Sequence, residues 1–353
     1  MRALTVVPQQ PGSLQVTEMP DAMAGDGDLL VEGLAVGVCG TDHEIVDGDY
    51  GWAPPGEDRL VVGHESLGRV RTAPRGSRFA EGDLVVGVVR RPDPEPCGAC
   101  AAGQFDMCRN GRYTERGIKA IHGYASDLWR VEEDYAVVLD PGLADVGVLM
   151  EPASVVAKAW EQVEHVGRRA WFEPRTALVT GAGPIGLRAA LLGVQRGLDV
   201  HVLDRVTDGP KPRLVRDLGA TYHHGDLDDV ARETSPDVVI EATGVPALVF
   251  GAVAATAAYG IVCLTGVSPT GRPLRIDGGG LNREMVLEND AIVGSVNANL
   301  HHYRLAADAL ARADVGWLSR LVTRRVPLDR FAEAFERRAD DVKVVLTLGG
   351  GAS

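Results

Sequence analysis

Thr180-Gly181-Ala182-Gly183-Pro184-Ile185-Gly186 lies between a strand-like run, Ala177-Leu178-Val179-Thr180, and a helical pattern. Three glycines so placed constrain the backbone strongly. Gly181 permits a tight turn, Gly183 lets the main chain approach a pyrophosphate, and Gly186 lets the helix pack closely on its strand. Free N–H groups at the helix start, with Pro184 and Ile185 in its first turn, favour phosphate charge. A second strand, Val200-His201-Val202-Leu203, ends at Asp204, 23 residues after Gly181. An acid there is placed to receive the adenosine ribose hydroxyls and to repel a 2′-phosphate, so NAD is the expected cofactor. Arg205 could stack on adenine or pair with that phosphate, which keeps NADP open. Thr243 is a further candidate cofactor contact. The competing reading is a glycine turn followed by a solvated aspartate.

The run containing this loop continues with Val238-Val239-Ile240, Ile261-Val262-Cys263-Leu264 and Ala291-Ile292-Val293, separated by helical patterns. Such alternation predicts an α/β fold, a parallel sheet covered by helices on both faces. Before residue 150 the texture differs. Short runs such as Leu29-Leu30-Val31, Leu60-Val61-Val62 and Leu84-Val85-Val86-Gly87-Val88-Val89 are cut by Gly, Pro and Asp turns, which predicts a barrel-like β domain. The tail returns to a helix and a last strand, Val342-Lys343-Val344-Val345-Leu346.

With 353 residues, 45% of them hydrophobic, the chain is long enough for two cores. Its net charge of −13 argues against nucleic acid as a partner. There is no apolar run long enough to span a membrane, and residues Met1–Pro8 read as a strand rather than a leader, so a cytoplasmic enzyme is expected. The five cysteines, odd in number and partly clustered, read as reduced thiols.

Two groups of residues offer metal ligands. Cys39, His64, Glu65 and Glu151 are dispersed, and together they supply the thiolate, imidazole and carboxylate donors that suit a catalytic zinc. Individually they read equally well as a buried small residue, a satisfied loop histidine and ordinary acids. Cys97, Cys100 and Cys108 are close in sequence and resemble a structural zinc site with three thiols. Asp93 or Glu95 could provide the fourth ligand, or the lobe could hold no metal.

The order Cys39-Gly40-Thr41-Asp42, Gly63-His64-Glu65, the cysteine lobe, Glu151-Pro152 and the glycine loop resembles the zinc-containing medium-chain alcohol dehydrogenase superfamily. Val89-Arg90-Arg91-Pro92, Phe105-Asp106-Met107-Cys108, Thr114-Glu115-Arg116-Gly117-Ile118 and Gly294-Ser295-Val296-Asn297-Ala298 are most similar to its archaeal and bacterial glucose dehydrogenases. The resemblance implies a GroES-like catalytic domain over residues 1–155 and 297–353 and a Rossmann domain over 156–296. It also implies an active site in the cleft between them, a homodimer or homotetramer, and oxidation of an aldose at C1 to a lactone. Cys39 and His64 then match zinc ligands, and Glu65 and Glu151 match positions that bind zinc directly, through water or by exchange with substrate. Asp42 matches the carboxylate behind the histidine, and Thr41 the hydroxyl that passes on the substrate proton. Glu115 and Asn297 match sugar contacts, and Asn297 is also a candidate cofactor contact. His43 either extends the proton relay or is an exposed loop histidine. Glu115 otherwise reads as a surface charge, and Asn297 as the cap of a helix opening near Leu300.

Two departures stand out. Pro94 occupies the place of the lobe's first thiol. Val89, Val155 and Leu287 are apolar where archaeal relatives carry polar sugar-binding groups. Rival expectations are a polyol, threonine or secondary-alcohol dehydrogenase, the zinc-free quinone reductases of the same superfamily, and a non-catalytic NAD-binding sensor.

Overall fold

The computed structural model describes residues 1–269, 271 and 273–349. The chain divides into two compact units, residues 1–154 with 298–353, and residues 155–297.

The first unit is built on antiparallel strands. Strands β1 (Arg2–Val6), β2 (Gln15–Glu18) and β4 (Leu60–Val61) form one small sheet, in the order β2-β1-β4. The main sheet centres on β3 (Asp28–Val38), whose residues alternate between buried and half-buried as a strand with one face in the core requires. Along β3 lies β5 (Glu65–Thr72), followed outward by β6 (Leu84–Gly87) and β11 (Ala136–Val138). The other edge of β3 is shared. Its first half pairs with β10 (Leu128–Glu132) and its second with β19 (Lys343–Thr347), beyond which lies β18 (Val322–Pro327). A third sheet joins β7 (Arg90–Arg91), β8 (Thr114–Arg116) and β9 (Ala120–Ile121). Leu4, Val31, Val36, Ile45, Val85, Trp129 and Leu346 belong to the apolar core of this unit. Its helices are α1 (Gly40–Asp47), α2 (Gly98–Ala101), the start of α3 (Met150–Gly167), α9 (Leu300–Ala311) and α10 (Val315–Leu321). Asn299 caps α9, accepting from the His301 and His302 amides, so the helix does open at Leu300, but Asn297 is not its cap.

The second unit is a six-stranded, wholly parallel sheet of β12 (Thr176–Thr180), β13 (Asp199–Leu203), β14 (Thr221–His223), β15 (Val238–Glu241), β16 (Ile261–Leu264) and β17 (Ala291–Gly294). The order β14-β13-β12-β15-β16-β17 reverses direction between β12 and β15, as in a doubly wound dinucleotide-binding fold. Helices α4 (Pro184–Gln195), α5 (Pro210–Asp217), α6 (Leu227–Thr234), α7 (Pro246–Val253) and α8 (Gly278–Glu288) make the crossovers. Sequence reading found every strand of this sheet except β14, which is three residues long and half-polar. Cys263 lies fully buried in β16, and burial pushes its thiol up to about 12, which keeps it protonated and inert.

Candidate active site and metal centres

Strand pairing explains how residues far apart in sequence meet. Antiparallel β3 and β5 place Gly37 opposite Glu65, so the residues just beyond the strand ends, Cys39 and His64, come together. Cys39 Sγ lies 3.1 Å from His64 Nε2. Ligand atoms of Cys39, His64 and Glu65 all fall within 4.8 Å of one another. Cys39 is the N-cap of α1, and its amide donates to Asp42 Oδ2 at 2.9 Å. The other oxygen of Asp42 faces His64 Nδ1 at 3.4 Å.

Both Asp42 and His64 are buried. Burial works against the charged form of each, yet their mutual attraction prevails. Asp42 is held below the usual carboxylate range, and His64, with Cys39 and Asp42 beside it, well above the usual imidazole range. Asp42 thus fixes the ring with Nδ1 toward the carboxylate and Nε2 toward the thiol. In the structure Asp42 Oδ1 and His64 Nδ1 lack a hydrogen bond of good geometry. A soft thiolate and an oriented imidazole with a carboxylate behind it form a donor set that suits zinc. Asp42→Asn is expected to lower metal affinity or turnover by roughly 10–100-fold, measured by chelator competition and steady-state kinetics.

Glu65 has a partner that sequence reading missed. Lys343 Nζ contacts both its carboxylate oxygens, at 2.6 and 2.7 Å, and also donates to the Val38 carbonyl at 3.1 Å. The pair is almost fully buried. It reaches across β3 only because residue 37 is glycine, since a Cβ there would meet Glu65 Oε2 at 1.9 Å. Glu151, in the first turn of α3, stands outside the 4.8 Å cluster. Loss of water pushes its carboxyl up to about 7, the negative charge of Glu65 adds to the shift, and His64 and Lys343 oppose it. Thr41 occupies the second position of α1, half-buried. His43 packs edge-on to Phe335 with ring centroids 5.5 Å apart, and burial lowers its pKa. It is therefore a half-buried packing residue rather than an exposed loop histidine.

Glu115 is not a surface charge. It is buried in β8, and its Oε1 accepts from Arg90 Nε at 3.1 Å and Nη2 at 3.0 Å. Arg90 is fixed in turn by the Asp106 carbonyl at 3.0 Å and by the face of Tyr113, 3.6 Å from the ring centre. Asp106 Oδ1 accepts from Asn299 Nδ2 at 2.8 Å, which ties this network to the start of α9. Asn297 has a left-handed backbone, with φ of 63°.

In the cysteine lobe, Cys97 caps α2, Cys100 lies within it, and Cys108 ends a single helical turn, Phe105–Met107. Ligand atoms of the three lie within 4.8 Å of one another. The Arg109 amide heads a set of backbone donors that pull the Cys97 thiol down to about 6. Asp93 does not join this cluster. Its Oδ1 accepts from the Glu95 amide at 2.9 Å, and its Oδ2 from Asn110 Nδ2 at 2.8 Å and Arg112 Nε at 3.1 Å. Asp93, expected as a fourth ligand, thus has its carboxylate held by loop donors in this structure.

In the second unit Gly181 adopts φ of +93°, and a Cβ on Gly186 would meet the Gly181 carbonyl at 1.7 Å. Gly183 faces open space at the N-terminus of α4, where no side chain caps the helix before Pro184, Ile185 and Gly186. This is a cradle for a diphosphate. Asp204 closes it on one side. Its Oδ2 accepts from the Ala182 amide at 2.6 Å and its Oδ1 from the Val206 amide at 3.1 Å, with Lys211 3.9 Å away. On the other side buried Glu241 accepts from Thr180 Oγ1 at 3.2 Å, from the Thr243 amide at 2.8 Å and from the Thr243 hydroxyl. Thr243 thus serves the loop's architecture, and a Cβ on Gly181 would meet its Cγ2 at 2.8 Å.

Residues 144–348 match the family described as glucose dehydrogenase C-terminus. The chain belongs to the glucose dehydrogenase family. Residues 25–141 match the alcohol dehydrogenase GroES-like domain, so the first unit is GroES-like and the second a Rossmann domain. Among relatives, the glucose 1-dehydrogenase of Thermoproteus tenax is 42% identical, with 98% of this chain and 99% of that one aligned. The glucose 1-dehydrogenase of Methanocella arvoryzae is 38% identical over 99% and 100% of the two chains. The structure of Haloferax mediterranei glucose dehydrogenase, in complex with NADP, Zn and gluconolactone, superposes with a TM-score of 0.91 at 35% identity, covering 99% of this chain and all of that one.

Proposed function

We propose that this enzyme is a zinc-dependent aldose dehydrogenase that oxidises a glucose-type sugar at C1 to its lactone with NAD, accepting NADP. The observation that carries the reading is the Cys39–His64 contact at 3.1 Å with Asp42 behind the ring. Zinc held by Cys39 and His64 would supply the Lewis acidity that lowers the substrate hydroxyl's pKa, and the nicotinamide would accept the hydride. Thr41 then takes the hydroxyl proton toward solvent. Glu65 and Glu151 remain candidates for the carboxylate share of the site. Lys343 favours Glu65 in a supporting place, because both its oxygens are engaged.

Glu115 is proposed to accept a hydrogen bond from a sugar hydroxyl. Arg90 occupies only Oε1 and orients the carboxylate, which leaves Oε2 to face a hydroxyl. Arg90→Met and Glu115→Gln are each expected to raise KM for the aldose roughly tenfold or more, with smaller changes in kcat. Equal losses in kcat with KM unchanged would remove the pair from substrate binding.

Asp204 lies beside the glycine loop and Lys211 beside Asp204, an arrangement that favours ribose hydroxyls while leaving a cation near a 2′-phosphate. Asn297 is kept as a candidate contact to cofactor or sugar. Homodimers or homotetramers are proposed, with exposed Val286, Leu287 and edge-strand Ile292 as apolar surface for a second copy. Among the described residues no helix is long and apolar enough to cross a membrane. Five free cysteines fit a reducing cytoplasm.

The deciding experiment is reduction of NAD and NADP, separately, by zinc-loaded enzyme with aldoses, polyols and simple alcohols. Turnover on glucose, galactose or xylose is expected, fastest with NAD. Turnover confined to polyols or alcohols would replace the substrate class and leave the metal chemistry standing.

A further inference from the structure

We infer that the cysteine lobe is a three-thiolate metal site with a replaceable fourth position. It takes a thiophilic divalent cation such as zinc, and a small ligand from solution completes its shell in place of a side chain.

The geometry of the thiols comes first. Zinc–sulfur bonds of about 2.3 Å in a tetrahedron place neighbouring sulfurs about 3.8 Å apart. Thiols already gathered within 4.8 Å need only a small contraction to reach that spacing. The Arg109 amide donates to Cys97 Sγ at 3.4 Å and so faces the cluster without supplying a fourth ligand.

No fourth ligand group joins the cluster among the described residues. The two nearby acids are committed elsewhere. Every hydrogen bond to Asp93 comes from Glu95, Asn110 and Arg112. Glu95 Oε2 accepts from Arg112 Nη2 at 2.9 Å, with its side chain 81% exposed. Recruiting Asp93 would take a buried carboxylate from Asn110 and Arg112, and recruiting Glu95 would give up its surface pair with Arg112. Pro94, the residue between them, has no donor atom in its side chain. Structural zinc sites are closed by four protein ligands, and open positions belong to exchangeable sites. Cys97 and Cys108 are both partly exposed, so water, a small anion or a small thiol can reach the cation. This inference stands apart from which sugar the enzyme oxidises.

Cobalt(II) substitution reads the site directly, through its thiolate-to-metal absorption. Wild-type enzyme is expected to bind one more metal equivalent than Cys97→Ser. In the difference spectrum between the two, added azide or mercaptoethanol should shift the bands, because any response shared by both belongs to Cys39 and His64. Pro94→Cys places a thiol between Asp93 and Glu95, in the loop that leads into Cys97. It should abolish the shift and slow zinc release to a chelator by roughly tenfold or more. That variant adds a ligand, so the test survives even if Cys97→Ser fails to fold. Equal metal content in wild type and a folded Cys97→Ser would overturn the inference, as would a lobe spectrum indifferent to both added ligands. Neither result touches aldose turnover, so failure here is distinguishable from failure of the dehydrogenase reading.

Discussion

Cys39→Ala is expected to cost the enzyme its catalytic metal and about three orders of magnitude in kcat. A Lewis acid contributes several kcal/mol of charge stabilisation, and about 1.4 kcal/mol corresponds to each tenfold in rate. Cys39 offers the one thiol in the cluster with His64 and Glu65, and the remaining imidazole and Lys343-bound carboxylate make a poor site alone. Metal content should fall by one equivalent per chain, as measured by elemental analysis, while the lobe thiols keep theirs. At the N-cap of α1 the bond from the residue-39 amide to Asp42 does not need the thiol, so the helix should survive and circular dichroism should be unchanged. Turnover within tenfold of wild type at undiminished zinc content would show that the metal is held elsewhere.

Lys343→Met is expected to cost the metal-free enzyme a large part of its stability. It leaves the Glu65 carboxylate buried with no cation in contact, and breaking a buried pair from one side costs about 3–5 kcal/mol. Lys343 is 1% exposed, so water cannot readily take its place. Equilibrium denaturation in urea should show the loss, with the midpoint falling and the slope unchanged. Adding Glu65→Gln should restore part of it, because removing both charges is far less costly than removing one. A Lys343→Met protein within about 1 kcal/mol of wild type would mean that Glu65 finds another partner or is protonated.

The glycine loop was legible because its requirements are local. A positive φ at Gly181 and close packing at Gly186 are properties of neighbouring backbone, and they leave a mark at fixed spacing. The parallel strands were legible for the same reason, as continuous apolar runs. The catalytic cluster was different. Cys39, His64 and Glu65 meet through the register of β3 and β5, which no spacing in sequence reveals, so family resemblance had to stand in for geometry. The Lys343–Glu65 pair left a signal that went unread. The chain has four lysines, and one of them interrupts the apolar strand Val342-Lys343-Val344-Val345. A lysine in a core strand requires a buried acid, and Glu65 supplies it. Arg90 left a similar signal beside Val88 and Val89, where its burial required the carboxylate of Glu115. The loop donors around Asp93 were not legible, because composition near a thiol cluster says nothing about which way a carboxylate turns.

The span of the Lys343–Glu65 contact bears on how the enzyme matures. The two residues are 278 positions apart. On a ribosome adding about 5–20 residues per second, Glu65 emerges roughly 15–55 s before Lys343 exists. For that interval the thiol of Cys39 and the imidazole of His64 can meet through β3 and β5, while the carboxylate beside them has no cation of the protein's own. The nascent site therefore keeps its unmatched negative charge through synthesis of the second unit and until the last strand is made, and it is then that a free divalent ion has least competition for it. Lys343 arrives last, and its contact with the carboxylate that lies over Gly37 retires the surplus charge.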